Sequence, residues 1–194
     1  MKTRKLRLSN ILTAVGIALV VLSVAAVMIS FFAQKSAARK ASDIASELRA
    51  LVPETQSGFP DGRENTAMPT AEIDGADFAG VIEIPAYNTL LPIRADWKPM
   101  RLSSYPCRLS GSTWGSDLII GGSDADGQFD FMKFITDGDF VYVTDAAGIC
   151  FSYRVTEIIR IDSTEELFPN NADLVLFVKN TYSFGYTAVK CKSA

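Results

Sequence analysis

The stretch Val141–Val155, with the sequence VYVTDAAGICFSYRV, has the pattern of a β-hairpin. Two arms of β-branched and aromatic residues flank the four residues from Asp145 to Gly148. β-Branched and aromatic residues are enriched in strands, and Asp and Gly favour tight turns. The pattern therefore predicts two antiparallel strands joined by a short turn.

Similar short runs recur through residues 77–194 between turn signals. They are GVIEIPAY, LLPIRA, DLIIGG, DFVYVTDAAG, CFSYRVTEIIRID, DLVLFVKNTYSF and YTAVKC. Only DFMKFI and STEELF look helical, and Ser163 offers an N-cap for the second. Seven or eight short strands in about 118 residues predict a mainly β domain, a barrel or a sandwich, with one or two short helices.

The N-terminal part of the chain contains an apolar run from Ile11 to Ala33 without charge or proline. At about 1.5 Å per residue, a helix of this length crosses a hydrocarbon core of roughly 30 Å. A secretory signal peptide is the alternative, but its apolar region is shorter and ends at an Ala-x-Ala-like site. The run therefore predicts a transmembrane helix at 11–33 in a single-pass membrane protein.

Composition divides the rest of the chain. Basic residues within 1–10 predict a cytoplasmic tail, although basic residues also follow the span. Good helix formers in 34–52 predict a juxtamembrane helix, and the Pro-, Gly- and polar-rich stretch 53–76 predicts a flexible linker. We therefore expect residues 77–194 to form an extracellular domain.

The charge of this domain argues against nucleic acid as a partner. It carries ten Lys and Arg against fifteen Asp and Glu, a net charge of −5. The sequence has no basic patch with interleaved aromatic residues, which nucleic-acid-binding domains usually show. No pattern in it indicates a cofactor, and we expect none.

The chain has three cysteines and no histidine. A Cys-His nucleophile is therefore excluded, and Cys-rich zinc spacing is absent. The thiols could all be buried and free, behaving as small apolar groups. In an exported domain one disulfide is the other possibility. A Cys107–Cys191 bridge, joining the first and last thirds of the domain, is the pairing we predict, with Cys150 left over.

Four segments, taken in order, resemble the sortase family, and most of all the small sortases of Firmicutes. They are FAGVIEIPAYNTLLPI, PCRLSGSTWGSDLIIGG, DGDFVYVTDAAGICFSYRV and DLVLFVKNTYSFGYTAVKC. The resemblance covers Phe78 to Cys191 almost without gaps. It implies a sortase-like closed β-barrel at the surface of a Gram-positive cell, with a cleft that accepts extended sorting signals for cell wall protein anchoring.

The sequence departs from this family at each catalytic position. Sortases resemble one another in a Cys nucleophile, a His that handles protons and an Arg that stabilises the oxyanion. Here Ser123 stands at the His position and Tyr186 at the Arg position. Lys179 stands at the Cys position, or Asn180 after a one-residue slip. Because transpeptidation needs all three functions, we expect a pseudo-sortase that binds a secreted peptide or surface protein, or assists an active sortase.

Two other functions remain open at the sequence level. Ser123 could act as a nucleophile with Lys179 as its base, giving a hydrolase or transpeptidase of altered chemistry. Alternatively, the domain is purely structural and its groove has closed. The candidate groove residues beyond the former catalytic positions are Trp114, Gly122, Asp124, Asn180, Tyr182 and Phe184.

The segment DADGQFD partly resembles a calcium-binding loop. Asp124, Asp126 and Asp130 are spaced around Gly127. A third early ligand and the distal Glu are missing at the required spacing. The segment therefore favours an acidic, solvated loop, and we expect no metal.

Overall fold

The computed structural model consists of one long α-helix followed by a β-barrel domain, within the residues that it describes. Contacts divide the chain into two compact units, Met1–Ser36 and Ala37–Ala194. Side chains of residues 2–14, 30–39, 51 and 56–57 lie outside the description. The backbone is described for residues 2–51, 56–57, 67–102, 104–115, 117–168, 171–180 and 184–194.

The helix α1 (Lys2–Leu51) precedes ten strands in the described residues. The strands are β1 (Gln56–Ser57), β2 (Ala71–Ile73), β3 (Ala76–Ile84), β4 (Thr89–Arg94), β5 (Cys107–Ser110), β6 (Leu118–Gly122), β7 (Phe140–Asp145), β8 (Ile149–Ile161), β9 (Leu174–Lys179) and β10 (Tyr186–Ser193). Four short 3₁₀ helices connect them, at Pro85–Tyr87, Pro99–Arg101, Asp130–Lys133 and Thr164–Leu167. The two segments expected to be helical, DFMKFI and STEELF, contain the last two.

Eight of the strands close into a barrel. Their order around the ring is β3, β4, β5, β6, β9, β10, β8 and β7, and β7 pairs back to β3. The pairs β4–β5 and β6–β9 are parallel, and the other pairs of the ring are antiparallel. The prediction of a mainly β, closed barrel is confirmed, and the sandwich is excluded because the ring has no free edge.

The β-hairpin predicted for residues 141–155 is confirmed as β7 and β8. Val143 pairs with Phe151, and the turn runs from Asp145 to Gly148. Gly148 adopts a φ of 89°, a conformation that residues with a side chain rarely take, and its N–H donates to the Asp145 carbonyl at 3.0 Å. Local turn chemistry thus supports the pairing that the strand residues favour.

The Asp145 carboxylate joins this turn to the opposite wall of the barrel. It is 1% exposed. Its Oδ1 accepts the N–H groups of Ala147 and Ile149, each at 2.9 Å, and its Oδ2 accepts Trp114 Nε1–H at 2.9 Å. The next residue, Ala146, donates its N–H to the β3 carbonyl of Ala79 at 3.0 Å. The Asp145 carboxylate and the backbone of its turn therefore join three separate segments of the chain.

Apolar residues form one cluster inside the barrel and a second on its outer face. β9 contributes to both, because Leu174, Leu176 and Val178 point inward while Val175 and Phe177 pack outward. The outer cluster also contains Leu167 from the 3₁₀ helix Thr164–Leu167. Burial on both faces explains why this strand is continuously apolar rather than alternating.

The C-terminal part of α1 packs on the barrel domain. Ile44, Ala45 and Leu48 form a third cluster with Phe78 and others. Arg49 Nη2 and Glu83 Oε2 form an ion pair at 2.7 Å. The helical spacing of the apolar residues in 34–52 thus gives the helix a face that the barrel covers.

The predicted linker 53–76 is partly structured, contrary to expectation. Met68 is buried, and β2 pairs with β3 through Ile73 and Ala76. The turn between them is Asp74-Gly75, with φ values of 52° and 70°. Such a two-residue Asp-Gly turn is a strong hairpin signal, so the domain begins before residue 77.

The membrane-spanning segment 11–33 stays a prediction, since only residues 15–29 of it have described side chains. Among the described residues, no helix is sufficiently long and apolar to cross a bilayer.

The predicted Cys107–Cys191 disulfide is wrong, because all three cysteines are free. Cys107 lies in β5 and Cys191 in β10, with β6 and β9 between them. Three strand spacings amount to roughly 14 Å along the sheet, and a disulfide needs Cα atoms within about 7 Å. Burial raises the pKa of Cys191 to about 12 and also raises the pKa of Cys107, so both remain thiols.

We predict that Asp145→Ala destabilises the protein by about 3–5 kcal/mol, because two buried donors and one partly buried donor lose their acceptor. Trp114→Phe removes one of these donors and should cost about 1–2 kcal/mol. Asp137→Ala, at an exposed position before the start of β7, is the control and should change stability by less than about 0.5 kcal/mol. Urea unfolding curves measure all three. Equal midpoints for Asp145→Ala and the control would refute a central role for this carboxylate.

Candidate functional site

A groove of about 520 Å³ lies beside the ends of β9 and β8. Its apolar lining comes from the segment around the 3₁₀ helix Asp130–Lys133 and from the strands β8 and β9: Met132, Ile135, Ile158, Ile159 and Val178. Its polar lining residues are Asp124, Lys133, Arg160, Asn180 and Thr187. This combination of apolar walls and a few polar groups is typical of ligand sites.

Strand alternation decides which residues of β9 reach the groove. Val178 and Asn180 line it, whereas Lys179 between them does not. Thr187 on β10 lies opposite Val178 and donates its hydroxyl to Asn180 Oδ1 at 2.8 Å. The Asn180 N–H donates to the Gly185 carbonyl at 3.1 Å, which fixes the backbone just beyond β9. Asn180 Nδ2 is buried and has no acceptor.

Backbone contacts hold the loop that forms one wall of the groove. The Phe129 N–H donates to the Ser123 carbonyl at 2.8 Å, and Lys133 Nζ donates to the Asp124 carbonyl at 3.2 Å. Gly122 allows this fold-back, because a Cβ there would lie 2.4 Å from the Phe129 ring. The packing of the wall therefore requires glycine at position 122, the last residue of β6.

Asp139 and Tyr87 support the same wall from behind. The Tyr87 hydroxyl lies 2.7 Å from the Phe134 carbonyl and 2.9 Å from Asp139 Oδ2, which also accepts the Thr136 N–H at 2.8 Å. Burial disfavours the charged form of Asp139, but these donors outweigh it and hold the pKa of the carboxyl below its usual value. Burial and the nearby carboxylate raise the pKa of Tyr87.

The three former catalytic positions do not meet in the groove. The pairing of Gly122 with Val178 brings Ser123 and Lys179 side by side at the ends of β6 and β9, and Tyr186 pairs with Lys179. None of these three lines the groove. Tyr186 packs instead on the outer cluster, with its ring centroid 6.0 Å from that of Phe177.

The residues one position further along the chain are the ones that line it. They are Asp124, Asn180 and Thr187. For Asn180 this agrees with the alternative that a one-residue slip offered. For Asn180 and Thr187 the reason is the two-residue period of a strand, since moving by one residue carries a side chain to the other face. Asp124 lies in the loop after β6.

Of the other candidate groove residues, some line the groove and some do not. Asp124 and Asn180 line the groove. Trp114 is buried against Asp145, and Gly122 is buried beneath Phe129. Phe184 is fully exposed and does not line the groove. Tyr182 lies outside the described residues.

The acidic segment after β6 shows no metal geometry. The Ser123 hydroxyl accepts the Ala125 N–H at 3.3 Å, and Asp126 is exposed. Within the described ranges no three His, Cys, Asp or Glu side chains lie close enough to hold an ion.

Sequence reasoning missed Arg160, Lys133 and Thr187. Arg160 lies on β8 directly opposite Thr187 on β10, so the two side chains share one face. The missed signal was alternation, because counting by twos from Leu174 selects Asn180 and its neighbours across the sheet. Lys133 lines the groove only because the loop after β6 folds back beside the strand ends, and no local sequence pattern predicts that fold-back.

The described barrel is similar in fold to several sortases of known structure. Sortase C of Streptococcus pneumoniae is 15% identical, with a TM-score of 0.54, over 82% of this chain and 89% of that one. The sortase D5 transpeptidase of Clostridium perfringens is 16% identical, with a TM-score of 0.52, over 61% and 79%. Sortase C-1 of Actinomyces oris is 19% identical, with a TM-score of 0.51, over 59% and 73%.

No protein-family model and no curated protein matches the sequence. The similarity in structure shows a sortase-like fold, which confirms the expectation drawn from the four ordered segments.

We predict an acid-dependent loss of stability at Asp139. Its lowered pKa means that its contribution is present above the unfolded pKa of about 3.9 and is lost as the pH falls through the lower folded value. Asp139→Asn should therefore be less stable than wild type at pH 6, and the difference in stability should be smaller at pH 2.5. Urea midpoints at the two pH values measure this, and a gap that does not narrow on acidification would contradict it.

Proposed function

We propose that this protein is a membrane-anchored sortase-like protein without sortase catalysis, and that its groove binds an extended segment of a secreted or surface protein. It acts alone or assists an active sortase of a Gram-positive cell. The observation that carries the proposal is the lining of the groove. It combines apolar walls with hydrogen-bond donors, has no cysteine among its described residues, and belongs to a chain without histidine.

The cysteines are poorly placed for acyl transfer. Cys107 and Cys191 are fully buried, and their raised pKa values disfavour the thiolate that acts as nucleophile. Cys150 precedes Ile158 by eight residues in the same strand, roughly 27 Å at 3.4 Å per residue. A thioester formed at Cys150 would lie away from a peptide in the groove.

The Ser123–Lys179 alternative has weaker support. The two residues are neighbours at the strand ends, but no hydrogen bond joins them in the described part of the chain. Ser123 Oγ accepts a backbone N–H within its own loop. Neither residue lines the groove, so a bound peptide carbonyl would lie beyond their reach.

The membrane anchor rests on the sequence and on exposure. The run 11–33 is uncharged. Within α1, Ile17, Leu19 and Val27 are 62%, 62% and 69% exposed, as apolar side chains are when a bilayer is their natural environment. The basic tail at 1–10 favours a cytoplasmic N-terminus, with the barrel domain at the outer surface.

Membrane topology can be tested through Cys150, which is partly exposed while the other two thiols are buried. On intact cells a membrane-impermeant maleimide should label the wild-type protein but not the Cys150→Ser variant. Permeabilised cells should give no further labelling of native protein. Labelling only after permeabilisation would contradict an external domain, and release of the protein by an alkaline wash would contradict the anchor.

Binding without turnover is the central prediction. The full chain in detergent micelles should bind a fluorescent sorting-signal peptide saturably, and mass spectrometry should find the peptide intact. Ile158→Ala removes part of the apolar wall and should weaken binding about 5- to 10-fold. Phe168→Ala is the matched control, because this side chain is equally apolar and exposed but lies outside the groove.

Each other outcome favours a different function. Peptide cleavage would indicate an enzyme of altered chemistry, and its loss in Ser123→Ala would assign that chemistry to Ser123. Neither binding nor cleavage of any sorting-signal peptide would leave a structural ectodomain as the remaining function.

A further inference from the structure

The polar lining of the groove contains more donors than acceptors. Two cations, Arg160 and Lys133, face a single carboxylate, Asp124. Lys133 reaches only the backbone carbonyl of Asp124, at 3.2 Å. Arg160 has neither an ion-pair partner nor a hydrogen-bond acceptor in the described part of the chain. In a domain with a net charge of −5, a groove with excess positive charge is a local exception.

Asn180 contributes a third donor. Its Oδ1 is engaged by the Thr187 hydroxyl, while Nδ2 is buried and lacks an acceptor. A buried polar group without a partner is costly, and in native proteins such a group commonly finds its partner in water or a ligand. Since Thr187 lies opposite Arg160, the amide and the guanidinium border the same part of the groove.

We infer that this part of the groove binds an acidic side chain of an extended peptide. A carboxylate offers two acceptor oxygens, which suit the planar guanidinium of Arg160 and the N–H of Asn180. The apolar wall of Met132, Ile135 and Ile158 fits apolar residues next to the acidic one. The groove volume of about 520 Å³ lies within the usual range for ligand sites.

This inference rests on the proposed function and names the class of peptide. The test uses the full chain in detergent micelles and a random octapeptide library that is acetylated at the N-terminus and amidated at the C-terminus. The only carboxylates are then on side chains. Sequencing of the bound peptides should show Asp or Glu enriched at one position, flanked by apolar residues.

A double-mutant cycle then tests whether Arg160 is the residue that contacts the acidic side chain of the peptide. Replacing the selected Glu by Gln in the best peptide should weaken binding about 3- to 10-fold, as expected for a charge-assisted hydrogen bond to an exposed arginine. Arg160→Gln should cause a similar loss for the Glu peptide and little for the Gln peptide. Arg154→Gln is the control, because it lies on the same strand, exposed and stacked over Phe140 at 4.8 Å, outside the groove.

The possible failures are distinguishable. Peptide binding with no acidic preference, or additive losses in the cycle, overturns this inference and leaves the proposed function intact. Binding that needs a free C-terminal carboxylate, seen with non-amidated peptides only, also overturns the assignment to a side chain. If no peptide of either kind binds, both proposals fail.

Discussion

The barrel depends on one buried carboxylate. Asp145 accepts two N–H groups of its own turn and the indole N–H of Trp114, which lies between β5 and β6. Its turn also donates to β3 through Ala146. A buried charge that loses its donors costs several kcal/mol, so registers that break this arrangement are strongly disfavoured. Gly80 completes the arrangement, since a Cβ there would lie 2.0 Å from the Thr144 carbonyl.

The position of the groove follows from this constraint. The Asp145 turn sets the register between β7 and β8, and β8 then continues for 13 residues to Ile161. Its far end pairs with β10, which places Arg160 opposite Thr187. The parallel pairing of β6 with β9 brings the end of β6 beside Asn180. Residues distant from the groove therefore decide which side chains line it.

The sequence predicted what local patterns encode. Period-two alternation and turn residues were sufficient for the β7–β8 hairpin and for the mainly β class, whereas the closed barrel was implied by the resemblance to sortases. The Cys107–Cys191 pairing failed because the strand order depends on the β6–β9 pairing, which is not local. The Asp74-Gly75 dipeptide is a turn signal in the sequence, but it lies in a stretch whose composition is typical of a linker. At the site, the sequence located the strand ends that border the groove. It did not show which side chains face the groove, because a shift of one residue moves a side chain to the other face of the strand.

The two sides of the groove are built differently. The floor consists of β8, β9 and β10, whose ladders and two apolar clusters hold it on both faces. The wall from Asp124 to Ile135 is a loop, but four of its apolar side chains, Phe129, Phe131, Met132 and Ile135, are buried in the inner cluster. Tyr87 and Asp139 add polar contacts from behind. Packing therefore holds both the floor and the wall, and a peptide that fits this preformed groove needs little rearrangement of the protein.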